Sequence, residues 1–253
     1  MKKLLLLPLL ILCGCATAPK NTLMQVSTID ALLAGVYDGQ MTTDELLRHG
    51  NLGIGTFDAL EGEMIVLDGT VYQALSDGAV RPMPGGTTTP FAAVVNFEAD
   101  QKEPYFKGVL SKETFQSYID ELEPNQNVFV AVQFDGGFSL MKVRSVPKQE
   151  KPYPPLAEVV QHQTVFEYTN VTGTVLGFRC PSFVKGINVP GYHLHFISKD
   201  RKTGGHILDF TTIDGTLQLD TCNCFHMVLT DQAEFAAANL SLDRSTQLEK
   251  VEK

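Results

Sequence analysis

The sequence predicts an α/β protein of the α+β kind, in which antiparallel and mixed β-structure dominates and the helices are short and peripheral. Three observations lead there. Asp68-Gly69, Asp135-Gly136-Gly137 and Gly204-Gly205 each stand between two runs rich in β-branched and aromatic residues, the pattern of a β-hairpin. Helical spacing is confined to a few stretches of about two or three turns, most opening on Ser, Thr or Asp. The 253 residues suffice for one large or two small domains with a proper core, and the Pro- and Lys-rich run Pro147–Pro155 is the best linker between them.

At the N-terminus, Lys2-Lys3 precedes an apolar run, Leu4 to Leu12, too short to span a bilayer. The run ends in Leu12-Cys13-Gly14-Cys15, which resembles a bacterial lipobox. Residues 1–15 are therefore expected to be a lipoprotein signal with Cys15 the lipidated first residue, and residues 16–25 a tether. This predicts an exported protein, anchored by lipid in the periplasm, on the outer membrane or on the cell surface. The formal net charge of -9 becomes -11 once Lys2 and Lys3 are removed. No basic stripe accompanies it, which argues against a nucleic-acid partner.

Residues 26–150 form the first predicted unit. Ser27 to Tyr37 carries apolar residues at helical spacing, and Thr42-Thr43-Asp44-Glu45 is a capping-box pattern. Glu61 to Gln73 reads as a hairpin about Asp68-Gly69, and Phe91 to Phe97 as a buried strand. Ser111 caps a helix from Lys112 to Leu122. Asn127 to Phe134 and Phe138 to Val146 read as a second hairpin with Arg144 on its return arm, where an arginine is ordinarily exposed. Taken alone, Glu61 and Glu63 are a solvated strand end, and the charged tail from Ser241 to Lys253 a frayed terminus.

Residues 151–253 form the second unit, centred on Tyr192 to Phe210. Strand side chains alternate, so His193 and His195 point one way, and a loop ending at Gly204-Gly205 returns His206 across from them. Three imidazoles with an open position are the usual setting of a catalytic zinc; copper, nickel and iron also accept imidazole. Cys222, Cys224 and His226 alternate in the same way and form a rival constellation, although the spacing lacks the two-residue gap of structural zinc sites. With Cys180 they leave an odd number of thiols after the signal, hence no full disulfide framework.

Taken together, the chain resembles the α-acetolactate decarboxylase family, from about Val26 to the C-terminus. The resemblance rests on Gly53-Ile54-Gly55-Thr56-Phe57 with the following Glu61-Gly62-Glu63-Met64, on Lys142-Val143-Arg144, and on the His-x-His…Gly-Gly-His hairpin. It implies two α/β subdomains with mixed and antiparallel sheets and flanking helices, forming one catalytic unit with the zinc site on the hairpin. It further implies zinc on His193, His195 and His206, catalytic roles for Glu63, Arg144 and Glu252, and Thr56 with Arg144 at the substrate. The implied reaction takes 2-acetolactate to acetoin and CO₂ through a metal-stabilised enediolate. Where the family usually has Asp, this chain has Glu61; strand position favours Glu63 for the role. A homodimer is compatible with the sequence. Two rivals are a non-catalytic exported zinc-binding lipoprotein, and a cupin-type oxygenase, whose His-x-His is followed by a Glu that is absent from Ile197-Ser198-Lys199.

Overall fold

A computed structural model describes residues 20–252. The signal segment and Cys15 lie outside the described residues. In chain order the first strands are β1 (Thr22–Val26), β2 (Met41–Thr42), β3 (Leu52–Thr56), β4 (Glu63–Leu67) and β5 (Thr70–Ala74). They are followed by β6 (Val80–Pro82), β7 (Thr88–Thr89), β8 (Ala92–Val95), β9 (Gln101–Lys102) and β10 (Phe106–Ser111). The last are β11 (Phe129–Ser145), β12 (Thr164–Cys180), β13 (Gly191–Ser198), β14 (Gly204–Cys222) and β15 (Cys224–Val228). The helices are α1 (Ile29–Leu33), α2 (Thr43–Leu46), α3 (Lys112–Leu122), α4 (Leu156–Val159), α5 (Ala233–Ala237) and α6 (Ser245–Glu252). None of the described helices is long and apolar enough to cross a membrane.

Two sheets face each other, giving the mixed α+β architecture that the sequence predicts. One is seven-stranded, in the order β15-β1-β8-β3-β4-β5-β6, antiparallel except for the parallel β1–β15 pair. The other is six-stranded and antiparallel, and there β14, β11, β12 and β13 close on themselves because β13 also pairs with β14. The alternation of side chains then sorts the cores. Phe134, Phe138, Leu194, Phe196 and Phe210 fill the closed barrel, with Phe115 and Ile119 of α3 packed among them. Their alternates Phe129, Ala131, Leu176, Phe178 and Ile197 face outward and meet Ile54, Ile65 and Leu67 of the other sheet. On the far face of the seven-stranded sheet, Met64 and Val66 pack against Leu46 of α2.

Local signals behave as their chemistry requires. Thr28, Thr42 and Ser111 accept hydrogen bonds from Ala31 N, Glu45 N and Thr114 N, capping α1, α2 and α3. Asp68 and Gly69 both have positive φ, as a two-residue hairpin turn demands.

The Asp135-Gly136-Gly137 signal is different. No turn forms there; β11 runs unbroken through all three residues, paired with β12 on one side and β14 on the other. Gly136 lies beside Gly173 and Gly215 in the neighbouring strands, and a Cβ at Gly136 would stand 2.2 Å from Asp214 O and 2.7 Å from the Phe134 ring. These glycines admit close strand approach beneath an aromatic ring, not a reversal of the chain. β12 and β14 likewise absorb stretches that read as separate shorter strands. The strands of the six-stranded sheet come from both sides of residue 150, so the sheets change over near residue 100 and not at the Pro-rich run. Leu23, Met24 and Gln25, read from sequence as tether, are buried in β1. The charged tail is a docked helix, with Val251 3% exposed.

Candidate active site

The site lies between the barrel wall and the seven-stranded sheet. Leu194 and Phe196 point into the barrel, so His193 and His195 of β13 point out of it. His206 of β14 is the cross-strand partner of His195, and Arg144 of β11 is the next partner along. All three imidazoles are at least nine-tenths buried. One ligand nitrogen from each falls within 4.8 Å of the others. The hairpin therefore assembles as its sequence predicts.

Each imidazole is neutral for a physical reason. Burial, with the Arg144 charge added, pushes His193 down to about 3, and holds His195 and His206 well below the usual range. Neutral imidazole is the ligand form. His195 Nδ1–H donates to Met64 O at 2.9 Å, which turns Nε2 inward. Both that Nε2 and His206 Nδ1 are buried without a hydrogen-bond partner. Orphaned buried nitrogens on converging rings are what a bound cation would satisfy, so the residues fit a metal.

The opposing sheet supplies the acidic side. Residues 63, 65 and 67 of β4 face the barrel, and this places Glu63 against the histidines. Its Oε1 accepts from Arg144 Nη1 at 2.8 Å, and its Oε2 lies 3.7 Å from His195 Nε2. Burial raises the Glu63 carboxyl to about 7, against the pull of Arg144 and with Glu252 adding to the rise. Arg144 is 4% exposed, not a surface residue, because Glu63 of β4 and Val251 of α6 are packed against its side of β11. Arg144 Nη2 donates to Val251 O at 3.2 Å, and Nε is buried without a partner. This contact ties down α6, whose Glu252 Oε2 reaches to 3.7 Å from His206 Nε2. Burial pushes Glu252 up to about 7 as well, opposed by Arg144 and Lys112.

Thr56 of β3 pairs with Glu63 across the strands, and its hydroxyl donates to Gly62 O at 2.8 Å. Glu61 takes no place in this group; its carboxylate is outside, 3.7 Å from Lys148 Nζ. The rival constellation does not form. Cys222 ends β14, whereas Cys224 and His226 belong to β15 of the other sheet, and among the described residues the three histidines are the one such cluster.

A cavity opens over the imidazoles. Its polar end is Thr56, Glu63, Arg144, His193, His206 and Glu252; its apolar end is Ile29, Leu32, Leu60, Val146, Leu156 and Val251, with Phe91 beside them. Sequence reasoning did not identify the apolar end. Those residues come from α1, α4, α6 and connecting loops, and no periodicity links them. Sheet order brings together three neutral imidazoles, two buried carboxyls, a buried guanidinium and a small apolar-roofed cavity, an arrangement that suits an enzyme centre able to hold a metal.

The comparisons give this centre its family. Residues 23–242 match the family model of α-acetolactate decarboxylase. The α-acetolactate decarboxylase of Methanosarcina mazei is 51% identical over 233 residues, covering 92% of this chain and 81% of that one. The Bacillus subtilis enzyme of that name is 39% identical over 222 residues, 88% of this chain and 87% of that one. A crystal structure from B. subtilis superposes with a TM-score of 0.89 at 38% identity, covering 91% of this chain and 99% of the other. The chain belongs to the α-acetolactate decarboxylase family.

Proposed function

We propose that this carboxy-lyase converts 2-acetolactate to acetoin and CO₂, with zinc held by His193, His195 and His206. The observation that carries the reading is the buried Arg144–Glu63 pair beside the three imidazoles. A metal store needs neither residue, and burying an ion pair is costly unless its environment uses it.

The carboxylate of acetolactate is β to a ketone. When the C–C bond breaks, CO₂ leaves and its electron pair passes to the ketone oxygen, so developing negative charge is the barrier. Zinc bound at the imidazoles supplies a Lewis acid for the substrate oxygens. Arg144 offers a fixed positive charge, and its unpartnered Nε is free to meet the substrate carboxylate or the developing oxyanion. Glu63, held by Arg144 at the mouth of the imidazole cluster, then delivers a proton to the carbon that lost its carboxylate and so sets the acetoin stereocentre. Glu252 adds a second carboxyl, 3.7 Å from His206 Nε2. The Thr56 hydroxyl donates its hydrogen bond to Gly62 O, so its lone pairs remain to accept from the substrate hydroxyl.

The deciding experiment incubates purified protein with racemic 2-acetolactate and measures acetoin together with zinc content. Bound zinc without acetoin would favour the storage reading. The lipobox-like Leu12-Cys13-Gly14-Cys15 supports an exported lipid anchor at Cys15 as part of this reading; mass spectrometry of the mature N-terminus is expected to find diacylglycerol there, and a free amino group at Ala16 or beyond would overturn it.

A further inference from the structure

The turn between the two strands that carry Thr56 and Glu63 is unusual. Ala59 and Leu60 both adopt the left-handed backbone, with φ of 56° and 57°. That conformation is unfavourable for L-residues and rare for a bulky one. Glycine follows only at Gly62. The segment is nevertheless pinned from several sides. Ala59 N donates to Tyr37 O, Gln149 N to Ala59 O, and Gly62 N to both Leu60 O and Val146 O. The Thr56 hydroxyl closes the ring on Gly62 O.

The outcome of that strain is one side chain. Leu60 is 2% exposed, sits in the apolar cluster of α1, α4 and α6, and lines the cavity between the apolar roof and the polar floor. None of the other apolar lining residues has positive φ. Ile29, Leu32, Leu156 and Val251 belong to the helices α1, α4 and α6, whereas Leu60 lies in the turn that joins the strands holding Thr56 and Glu63. Its distance from the reacting carbon is therefore set by the same backbone that places the proton donor.

Resting on the proposed decarboxylation, we infer that Leu60 sets the upper limit on the alkyl groups of the 2-hydroxy-3-oxo acid. A pocket wall of this kind discriminates one methylene by roughly 10–200-fold. Truncation of Leu60 to alanine removes three carbons, more than the one methylene a homologue adds, without touching a polar group.

The test compares kcat/KM for acetolactate with that for its two one-carbon homologues, one bearing ethyl on the carboxyl-bearing carbon, the other an ethyl ketone. In Leu60→Ala, the ratio of at least one homologue to acetolactate is expected to rise about tenfold or more. Leu60→Phe should move the same ratio the other way, and it serves as the reading if the alanine variant does not fold. Leu46→Ala, equally buried but on the far face of the seven-stranded sheet, should lower stability and leave the ratio unchanged. Unchanged ratios in both Leu60 variants would overturn the inference. Absence of turnover on all three acids in the unmodified protein would instead sink the functional reading beneath it.

Discussion

Two stretches of this chain look alike on paper and end differently. Tyr192 to His206 and Cys222 to His226 both place potential metal ligands at alternate positions. In the first, β13 continues through His193 and His195, and the hairpin returns His206 opposite them. In the second, the chain leaves the barrel after Cys222 and re-enters as β15, parallel to β1 in the other sheet. Alternation implies a shared face only while the strand lasts. Protonation separates the two further. Burial makes imidazole neutral, its ligand form, but it keeps a thiol protonated, away from its ligand form. Cys180 is pushed up to about 12 and Cys222 well above the ordinary thiol range. The low-dielectric core that keeps the three imidazoles in their ligand form thus holds Cys222 in its protonated, non-ligand form.

The sharpest break of this comparison is to remove ligands from each. His193→Ala, His195→Ala and His206→Ala are each expected to lose the metal and reduce acetoin formation by about 10³-fold or more, since a Lewis acid contributes several kcal/mol. Cys222→Ser with Cys224→Ser should keep it. Elemental analysis of the purified variants reads both, and metal lost from the cysteine variant alone would reverse the assignment.

Next come the groups that the histidine stretch recruits and the cysteine stretch lacks. Glu63→Gln is expected to retain zinc and to lose ~10²–10⁴-fold in kcat, the usual contribution of a general acid or base. Glu61→Gln, pairing only with Lys148 at the surface, should change kcat little. Steady-state kinetics on both variants separates the two neighbouring carboxyls; equal and small effects would pass the proton to Glu252.

For the tail, Glu252→Gln is expected to lower turnover less than Glu63→Gln, since it stands at the rim, with a side chain 16% exposed. Deleting Val251 to Lys253 should also cost about 1.5–3 kcal/mol of stability, because it removes a buried valine as well as the carboxyl. Thermal melts beside activity assays distinguish the packing loss from the chemical one. The smallest effect concerns the cysteine stretch itself. Cys222→Ser buries a hydroxyl in an apolar core and should cost roughly 1–3 kcal/mol with activity per folded molecule unchanged.

What was readable beforehand was local. Thr42 and Ser111 announce helix starts because capping needs only the next three residues. Asp68-Gly69 announces a turn because the neighbouring strands β4 and β5 are ready to pair. The histidine hairpin was readable because all three ligands lie within fourteen residues and the period of a strand places them. Glu63, Arg144 and Glu252 entered the sequence reading through likeness to a family, since nothing near them in the chain marks them.

Tertiary structure decided the rest. Asp135-Gly136-Gly137 has the composition of a turn, yet the strands on both sides and the Phe134 ring above it give straight backbone a better set of hydrogen bonds and contacts. Arg144 is buried because β4 of the facing sheet and α6 pack over its side of β11, a matter of distant segments and not of its neighbours in sequence. Glu252 becomes part of the site because Arg144 offers Val251 O a donor and the α1–α4 cluster offers Val251 a pocket. The left-handed backbone at Leu60 is held by Tyr37, Val146 and Gln149, three residues distant in the chain that bond the turn carrying it. In this protein the chain encoded its candidate metal ligands within a single hairpin, whereas the buried carboxyls, the guanidinium and the apolar roof were brought to them by long-range sheet pairing and core packing, interactions whose partners lie too far apart in sequence for any local pattern to record.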